Sequence, residues 1–388
     1  MIRADYLPFG RPNFSADEIA AVTRVLRSGW VGMGGETIAF EEELGAFLEA
    51  PHVVTVSSCT SALFLSLLAL GIGPGDEVIC PSLTWCATAN AALYVGAKPV
   101  FCDVDPGTWC VTPELIADKL TARTKAVIPV HYGGLAIDVD AIRAVLPPGV
   151  AIVEDAAHAL GARYADGRPV GSSGNMVCFS FYANKNLSTG EGGAIALFDE
   201  ELANRLRSLR QNAMPVDAWK RFSHSRSLPS IELSELGYKM NYTDLQASLG
   251  RVQLKRQPEF HARRLAIARH YCDRLCSLGL PVSVQRDVVH PNHARHLFAI
   301  LLGDQRVSRD ELLLALRARN IGASIHYAPL HRMPLYDAGR QPALPNTEQV
   351  CRRNMTLPIS ASMSVEDADY VVRHTAELLS SRENGGLT

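Results

Sequence analysis

Between residues 52 and 198, seven short β-forming runs recur, at 52–57, 77–81, 99–104, 126–131, 150–154, 176–181 and 194–198. Several are almost wholly apolar, as strands covered on both faces are. Helical stretches at 61–71, 84–95, 113–121 and 138–146 separate many of them. This alternation restricts the chain to an α/β architecture, a mostly parallel seven-stranded sheet with helices on both faces. Ligands of such sheets sit in a crevice beyond the carboxyl ends of the strands. Ser57, Pro81, His131, Asp155 and Ser180 each fall at or beside an expected strand end, where they can converge on one crevice.

The rest of the chain reads as flanking and appended structure. Residues 16–29, capped by Ser15, and 36–49 have helical patterns. The stretch 211–236 is polar and irregular, with Pro215 and Pro229, and reads as a long functional or mobile loop. From 244 to 278 the pattern is one long helix linking two domains. Beyond it come a strand at 297–302, a helix at 309–319, a strand at 323–326, a helix at 365–380 and a disordered polar tail at 381–388. A chain of 388 residues suits a large domain, 1–250, and a smaller C-terminal α/β domain, 251–388.

Charge and cysteine usage narrow the partners. The net charge is −2, without the basic excess of a nucleic-acid or membrane-surface binder. Any phosphate must therefore be held by local groups. Nine cysteines, an odd number with no Cys-x-x-Cys, read as reduced thiols of a cytoplasmic protein. The N-terminus has no apolar signal region, and the longest apolar stretches, such as 62–70, are too short to span a membrane.

Lys185 stands in FSFYANKNLSTGEGG, 179–193, and Asp155 ends the apolar run VAIVED thirty positions upstream. An amine able to form an imine and a carboxylate able to keep a pyridine nitrogen protonated are the minimum for pyridoxal 5'-phosphate (PLP) chemistry. Each has a plainer reading. Lys185 alone is a solvated loop lysine, and Asp155 alone caps the following turn. Glu154, one position earlier, points to the other side of the strand. His158 is either a structural histidine or a partner of the cofactor ring. The run from Ser57 through Ser58, Cys59, Thr60 and Ser61 opens a helix, and is either a plain cap or a phosphate site. Trp85 is either core or a stacking platform. His290, His293 and His296, and the pair His326 and His331, lack the Cys or carboxylate company of a metal site, so no metal is expected. VGMGG at 31–35 follows a helix rather than a strand, which excludes a dinucleotide fingerprint.

Taken in order, LPFGRP (7–12), SGWV (28–31), VSSCTSA (56–62), GDEVI (75–79), PSLTWCATAN (81–90), VHYGG (130–134), EDAAHALG (154–161), 179–193, GYKMNYTDLQA (237–247) and HYAPLH (326–331) resemble the DegT-type, PLP-dependent sugar aminotransferases. The resemblance covers roughly residues 6–380. It implies the fold type I of PLP enzymes, like aspartate aminotransferase. It gives Lys185 the cofactor, Asp155 the pyridine nitrogen, His158 the ring oxygen and Trp85 the ring face. It gives Thr60, Ser61 and Ser180 the phosphate. A segment carrying Lys239 and Asn241 comes from the neighbouring subunit, so a homodimer with shared active sites is implied. Many relatives carry Asn at the position of Lys239 and Arg at that of Asn241, so this chain departs from the pattern there. Lys239 would meet phosphate as a point charge.

Within the family the pattern is most similar to enzymes that aminate C4 of a UDP-linked 4-keto sugar, those forming UDP-4-amino-4-deoxy-L-arabinose. The implied donor is glutamate, the route ping-pong through pyridoxamine phosphate, and the acceptor a keto sugar nucleotide contacted by His326, His331, Trp30 and the 211–236 loop. Rival acceptors are an aminocyclitol ketone or a dTDP- or GDP-linked keto sugar. Dehydratases of this fold replace the lysine with histidine, which this chain does not. A PLP-binding regulator without turnover would carry a basic DNA-binding extension, which is not seen.

Overall fold

The structure is a computed structural model describing residues 2–214, 233, 235–303, 307–336 and 342–380. The seven expected strands form one sheet. They are β1 (His52–Val56), β2 (Glu77–Pro81), β3 (Lys98–Cys102), β4 (Thr124–Val127), β5 (Ala151–Asp155), β6 (Met176–Ser180) and β7 (Gly193–Leu197), in the order β1-β7-β6-β5-β4-β2-β3. Only β7 runs against its neighbours. Every residue of β2, β6 and β7 is buried, so these strands carry no polar face toward water. Alternate residues divide between two cores: Met176 and Cys178 on one face, Val177 and Phe179 on the other.

The connections are helical: α1 (Ala16–Ser28) and α2 (Gly35–Leu48) before β1, then α3 (Cys59–Ala69), α4 (Cys86–Tyr94), α5 (Pro113–Ala117) and α6 (Val139–Val145) between strands, and α7 (Glu200–Leu209) after β7. A capping box between Ser15 and Glu18 starts α1 as its sequence signals. Most of α3 is buried, and it packs on β5, β6 and β7, so its N-terminus lies under the centre of the crevice.

The helix expected over 244–278 is broken into α8 (Asp244–Lys255) and α9 (Gln257–Ser277). Pro258 lies in the first turn of α9; lacking an N–H, it cannot continue the ladder of α8. A second, antiparallel sheet of β8 (Val282–Val284), β9 (Phe298–Leu302) and β10 (Asn354–Leu357) carries α10 (Arg309–Arg317), α11 (Pro345–Arg353) and α12 (Val365–Ser380). The strand expected at 323–326 is reduced to one bridge, Ser324 with Thr356. The N-terminal segment joins this second core: Leu7 packs with Ile267, Phe298 and Val371, and bridges to Ile321. Most of the 211–236 loop, and the tail at 381–388, lie outside the described residues.

Candidate active site

Strands β5 and β6 pair in parallel with Asp155 opposite Cys178, and β6 pairs with the reversed β7 with Ser180 opposite Gly193. Asp155 and the loop after Ser180 therefore emerge side by side. The loop closes on itself through Phe181 N–H to Gly192 O (2.9 Å), Thr189 N–H to Phe181 O (3.0 Å) and Lys185 N–H to Tyr182 O (2.9 Å). This brings the Lys185 side chain back over the strand ends. The part-buried Lys185 side chain lines a cavity of about 470 Å³, and burial lowers its amine from its ordinary 10.5 to about 8, against the attraction of Cys59 and Asp155.

Asp155 lines the same cavity. Its Oδ2 accepts a hydrogen bond from Thr88 Oγ1 (2.7 Å) and its Oδ1 one from Ala157 N–H (3.1 Å). The capping role and the cavity role thus coexist. Burial raises this carboxyl, while the two hydrogen bonds and the charges of Lys185 and His131 oppose the rise. Glu154 faces the other way, into a closed network with His131 (2.9 Å), Tyr164 (2.6 Å), Ser173 (2.5 Å) and Asn175 (2.8 Å).

His158 follows on the turn beyond β5. Its Nδ1 accepts the Gly133 N–H (3.3 Å), which places the proton of the neutral ring on Nε2, 3.0 Å from the Tyr327 hydroxyl. Burial holds the ring well below its ordinary range. Between β1 and α3, Ser58 caps the helix by accepting the Ser61 N–H (3.1 Å), and Ser58, Cys59 and Thr60 line the cavity. The first-turn N–H groups of such a helix have no intrahelical acceptor. Ser61 does not line the cavity; its hydroxyl is shared with those of Ser57 and Ser58 (3.0 Å each). Ser180 lines the cavity from β6, and Trp85, 61% exposed, stands at its rim.

The second sheet's half of the chain supplies His296, His326 and Tyr327. The His326 ring packs 4.8 Å from Phe9, with Nδ1 2.9 Å from Thr356 Oγ1, and burial lowers it to about 3. His331, expected to touch substrate, does not line the cavity. It is fully buried, with Nδ1 2.7 Å from Ser82 Oγ and Nε2 3.1 Å from Glu348 Oε1. Trp30 is also outside, its Nε1 donating to Met33 O (3.1 Å). Lys239 and Asn241 bridge the backbones of Gln211 and Val56, and neither lines the cavity of its own chain.

Sequence reasoning missed Tyr182, Tyr327 and His296 as cavity groups, and Thr88 as the donor behind Asp155. Thr88 carried a signal, lying three residues after Trp85 and so one turn along the same helix. His296 was visible only as part of a metal-like spacing. In the fold those histidines part: His293 turns to Gln285 (3.2 Å) while His296 enters the cavity. Among the described residues no cluster suited to a metal ion is found.

An amine and an acid held side by side beyond the ends of a mostly parallel sheet form the working arrangement of an aminotransferase. The chain belongs to the DegT/DnrJ/EryC1/StrS aminotransferase family, which it matches over residues 12–375. It is 42% identical over 385 residues to the spore coat polysaccharide biosynthesis protein SpsC of Bacillus subtilis, covering 97% of this chain and 98% of that protein. Among solved structures it is similar to the aminotransferase TlmJ of Streptoalloteichus hindustanus, at 36% identity, TM-score 0.89, 97% of this chain and 100% of that one. It is also similar to the PLP form of the putative sugar aminotransferase Spr1654 of Streptococcus pneumoniae, at 30% identity, TM-score 0.88, 97% and 99%. These relatives support a sugar aminotransferase; they do not single out the UDP-4-amino-4-deoxy-L-arabinose type.

Proposed function

We propose that this protein moves an amino group from glutamate to a keto sugar nucleotide, with PLP as cofactor. The observation that carries the reading is a part-buried amine, lowered to about 8, in one cavity with a buried carboxylate. The residues fit PLP. The turn of Ser58–Thr60 at the start of α3 suits its phosphate, and β7 lies against that turn so closely that a Cβ on Gly193 would meet Ser58 C at 2.5 Å and Cys59 N at 2.6 Å. Ser180 borders the same corner, Trp85 offers a ring face at the rim, and Asp155 a buried acceptor for a pyridinium N–H.

When bound, PLP supplies an electron sink and carries the amino group between the two halves of the reaction. Lys185 takes a proton from the substrate carbon and returns it, a task its lowered basicity suits near neutral pH. Thr88 keeps Asp155 ionised and aimed. His158 is held at Nδ1 by Gly133, and its Nε2–H, which faces the Tyr327 hydroxyl, is the donor a ring oxygen would share or take over. Substrate contacts fall to His326, Tyr327 and Tyr182, which line the open side. His331 instead ties their loop to Ser82 at the end of β2. Lys239 and Asn241, which do not line the cavity of their own chain, are assigned to the neighbour's phosphate, which makes the working unit a homodimer.

Adding glutamate to the holoenzyme should shift the cofactor's absorbance, and Lys185→Ala should abolish turnover. A panel of UDP-, dTDP- and GDP-linked keto sugars and an aminocyclitol ketone then identifies the acceptor. The resemblance of 81–85 and 237–239 favours a UDP-linked 4-keto sugar. A cofactor band unmoved by glutamate and glutamine would sink the reading and leave a non-catalytic PLP-binding regulator.

A further inference from the structure

The scheme above leaves one cavity histidine without a task. His296 precedes β9, and its Nε2 lies 3.4 Å from Lys185 Nζ. Its Nδ1 is buried and has no hydrogen-bond partner among the described residues. The ring packs 4.6 Å from the ring of His158, 33° from parallel. On the backbone side, the carbonyl of Arg295 accepts from the buried Arg264 guanidinium (3.1 Å). The largest charge effects on His296 come from Lys185, His158, Arg264 and His326, while Asp155 and Glu191 line the same cavity. All four disfavour a second positive charge, and burial adds to this, so the imidazole is neutral in the working range.

A neutral imidazole has one lone pair and one N–H. Opposite an ammonium, only the tautomer with hydrogen on Nδ1 is compatible, because Nε2 must then accept. Opposite a free amine, either tautomer serves. His296 can therefore partner Lys185 in both protonation states, which a lysine that alternates between base and acid requires. Resting on the aminotransfer reading, we propose that His296 is a positioning residue whose Nε2 accepts an N–H of Lys185 during the interval in which Lys185 carries the substrate proton. No bond is made or broken in this contact: the proton taken from the substrate carbon stays on Nζ, and His296 keeps its own hydrogen on Nδ1. The hydrogen bond favours the transient ammonium and holds the side chain between the two carbons it serves.

The test pairs His296→Phe, which fills the space without an acceptor, with His296→Gln, whose Oε1 can accept. In cofactor-free protein, the pH at which Lys185 is half-labelled by an amine reagent, read by mass spectrometry, should fall by about one unit in His296→Phe, as loss of a hydrogen bond to a charged group predicts. His296→Gln should stay near wild type. In the holoenzyme, His296→Phe should lower kcat about tenfold or more with little change in KM, and raise the isotope effect on α-deuterated glutamate, with partial rescue by glutamine. An unchanged labelling midpoint in a folded His296→Phe, or equal shifts in both variants, would overturn the assignment. The labelling arm needs no turnover, so it remains decisive even if glutamate proves not to be the donor.

Discussion

Replacing Thr88 with valine removes one hydroxyl from the site and almost no volume. That hydroxyl donates to Asp155 Oδ2 at 2.7 Å and lies 2.8 Å from the hydroxyl of Thr84, so the two threonines form a short relay ending on the carboxylate. The carboxylate is only 5% exposed, and burial already works against its ionised form. Without Thr88, Oδ2 keeps no donor among the described residues, and the charge needed to pair with a pyridinium loses its main support. A hydrogen bond to a charged group contributes about 1.5–3 kcal/mol, equivalent to roughly 10–150-fold in an equilibrium constant. Thr88→Val should therefore weaken PLP binding to the cofactor-free protein by that factor, measured by absorbance titration. Thr88→Ser, which restores the donor, should lie within about threefold of wild type. Both variants should melt near the wild-type temperature, which separates loss of the site from loss of the fold. If folded Thr88→Val binds as wild type does, or if the serine variant is equally weak, the argument that this hydroxyl sustains the ionised acid is wrong.

Three further outcomes follow from the same geometry. Labelling of Lys185 in cofactor-free protein should rise with pH through about 8, while exposed lysines follow near 10.5, because burial disfavours the ammonium; a midpoint for Lys185 near the ordinary value would contradict it. Gly193→Ala forces a Cβ to within 2.5 Å of Ser58 C, so overpacking should cost about 1–3 kcal/mol by denaturant unfolding and displace the phosphate turn, with PLP affinity falling as well. Glu154→Ala leaves the donors of His131, Tyr164, Ser173 and Asn175 without their acceptor and should cost at least about 1–3 kcal/mol near pH 7. Burial raises the Glu154 carboxyl, but its bonds to His131, Ser173 and Tyr164 more than reverse that, leaving it below 4.5. Its stabilisation is thus present above that pH and lost as the pH falls through the lowered value, so the gap between variant and wild type should narrow on acidification.

The main sheet was legible because its strands are covered on both faces and so read as apolar runs. The second sheet was only partly legible. Its β8 is three residues, VSV, none of them buried, and β10 follows α11 with no intervening turn residue. The helix α7 carried readable signals, Asp199 as cap and Leu202, Leu206 and Leu209 on one face, and the break at Pro258 was also written in the chain. In the site, Lys185 and Asp155 were legible from strand ends and nearby glycines. His296 and Tyr327 come from the other half of the chain, and local pattern carries no record of a contact made across 111 positions, as between Lys185 and His296. His331 illustrates the converse. It shares a motif with His326, yet a short 3-10 turn at Leu330–Arg332 carries it into the protein, where Ser82 and Glu348 occupy both ring nitrogens.

The reversal of β7 bears on why amine and acid meet at all. Were β7 parallel to β6, the chain leaving Ser180 would have to cross the whole sheet before re-entering it, and a long connection would carry Lys185. Because β7 returns antiparallel, residues 181–192 form one excursion pinned at its base by Ser180 opposite Gly193 and closed by the Phe181–Gly192 and Phe181–Thr189 hydrogen bonds. Asp155 belongs to the adjoining parallel strand, in register with Cys178. The separation of the two groups is therefore governed by one inter-strand spacing, about 4.8 Å, plus one pinned loop. Adding residues within 186–190 should accordingly cost activity far more than adding them between β3 and α5, because only the first changes the path from the sheet to the amine.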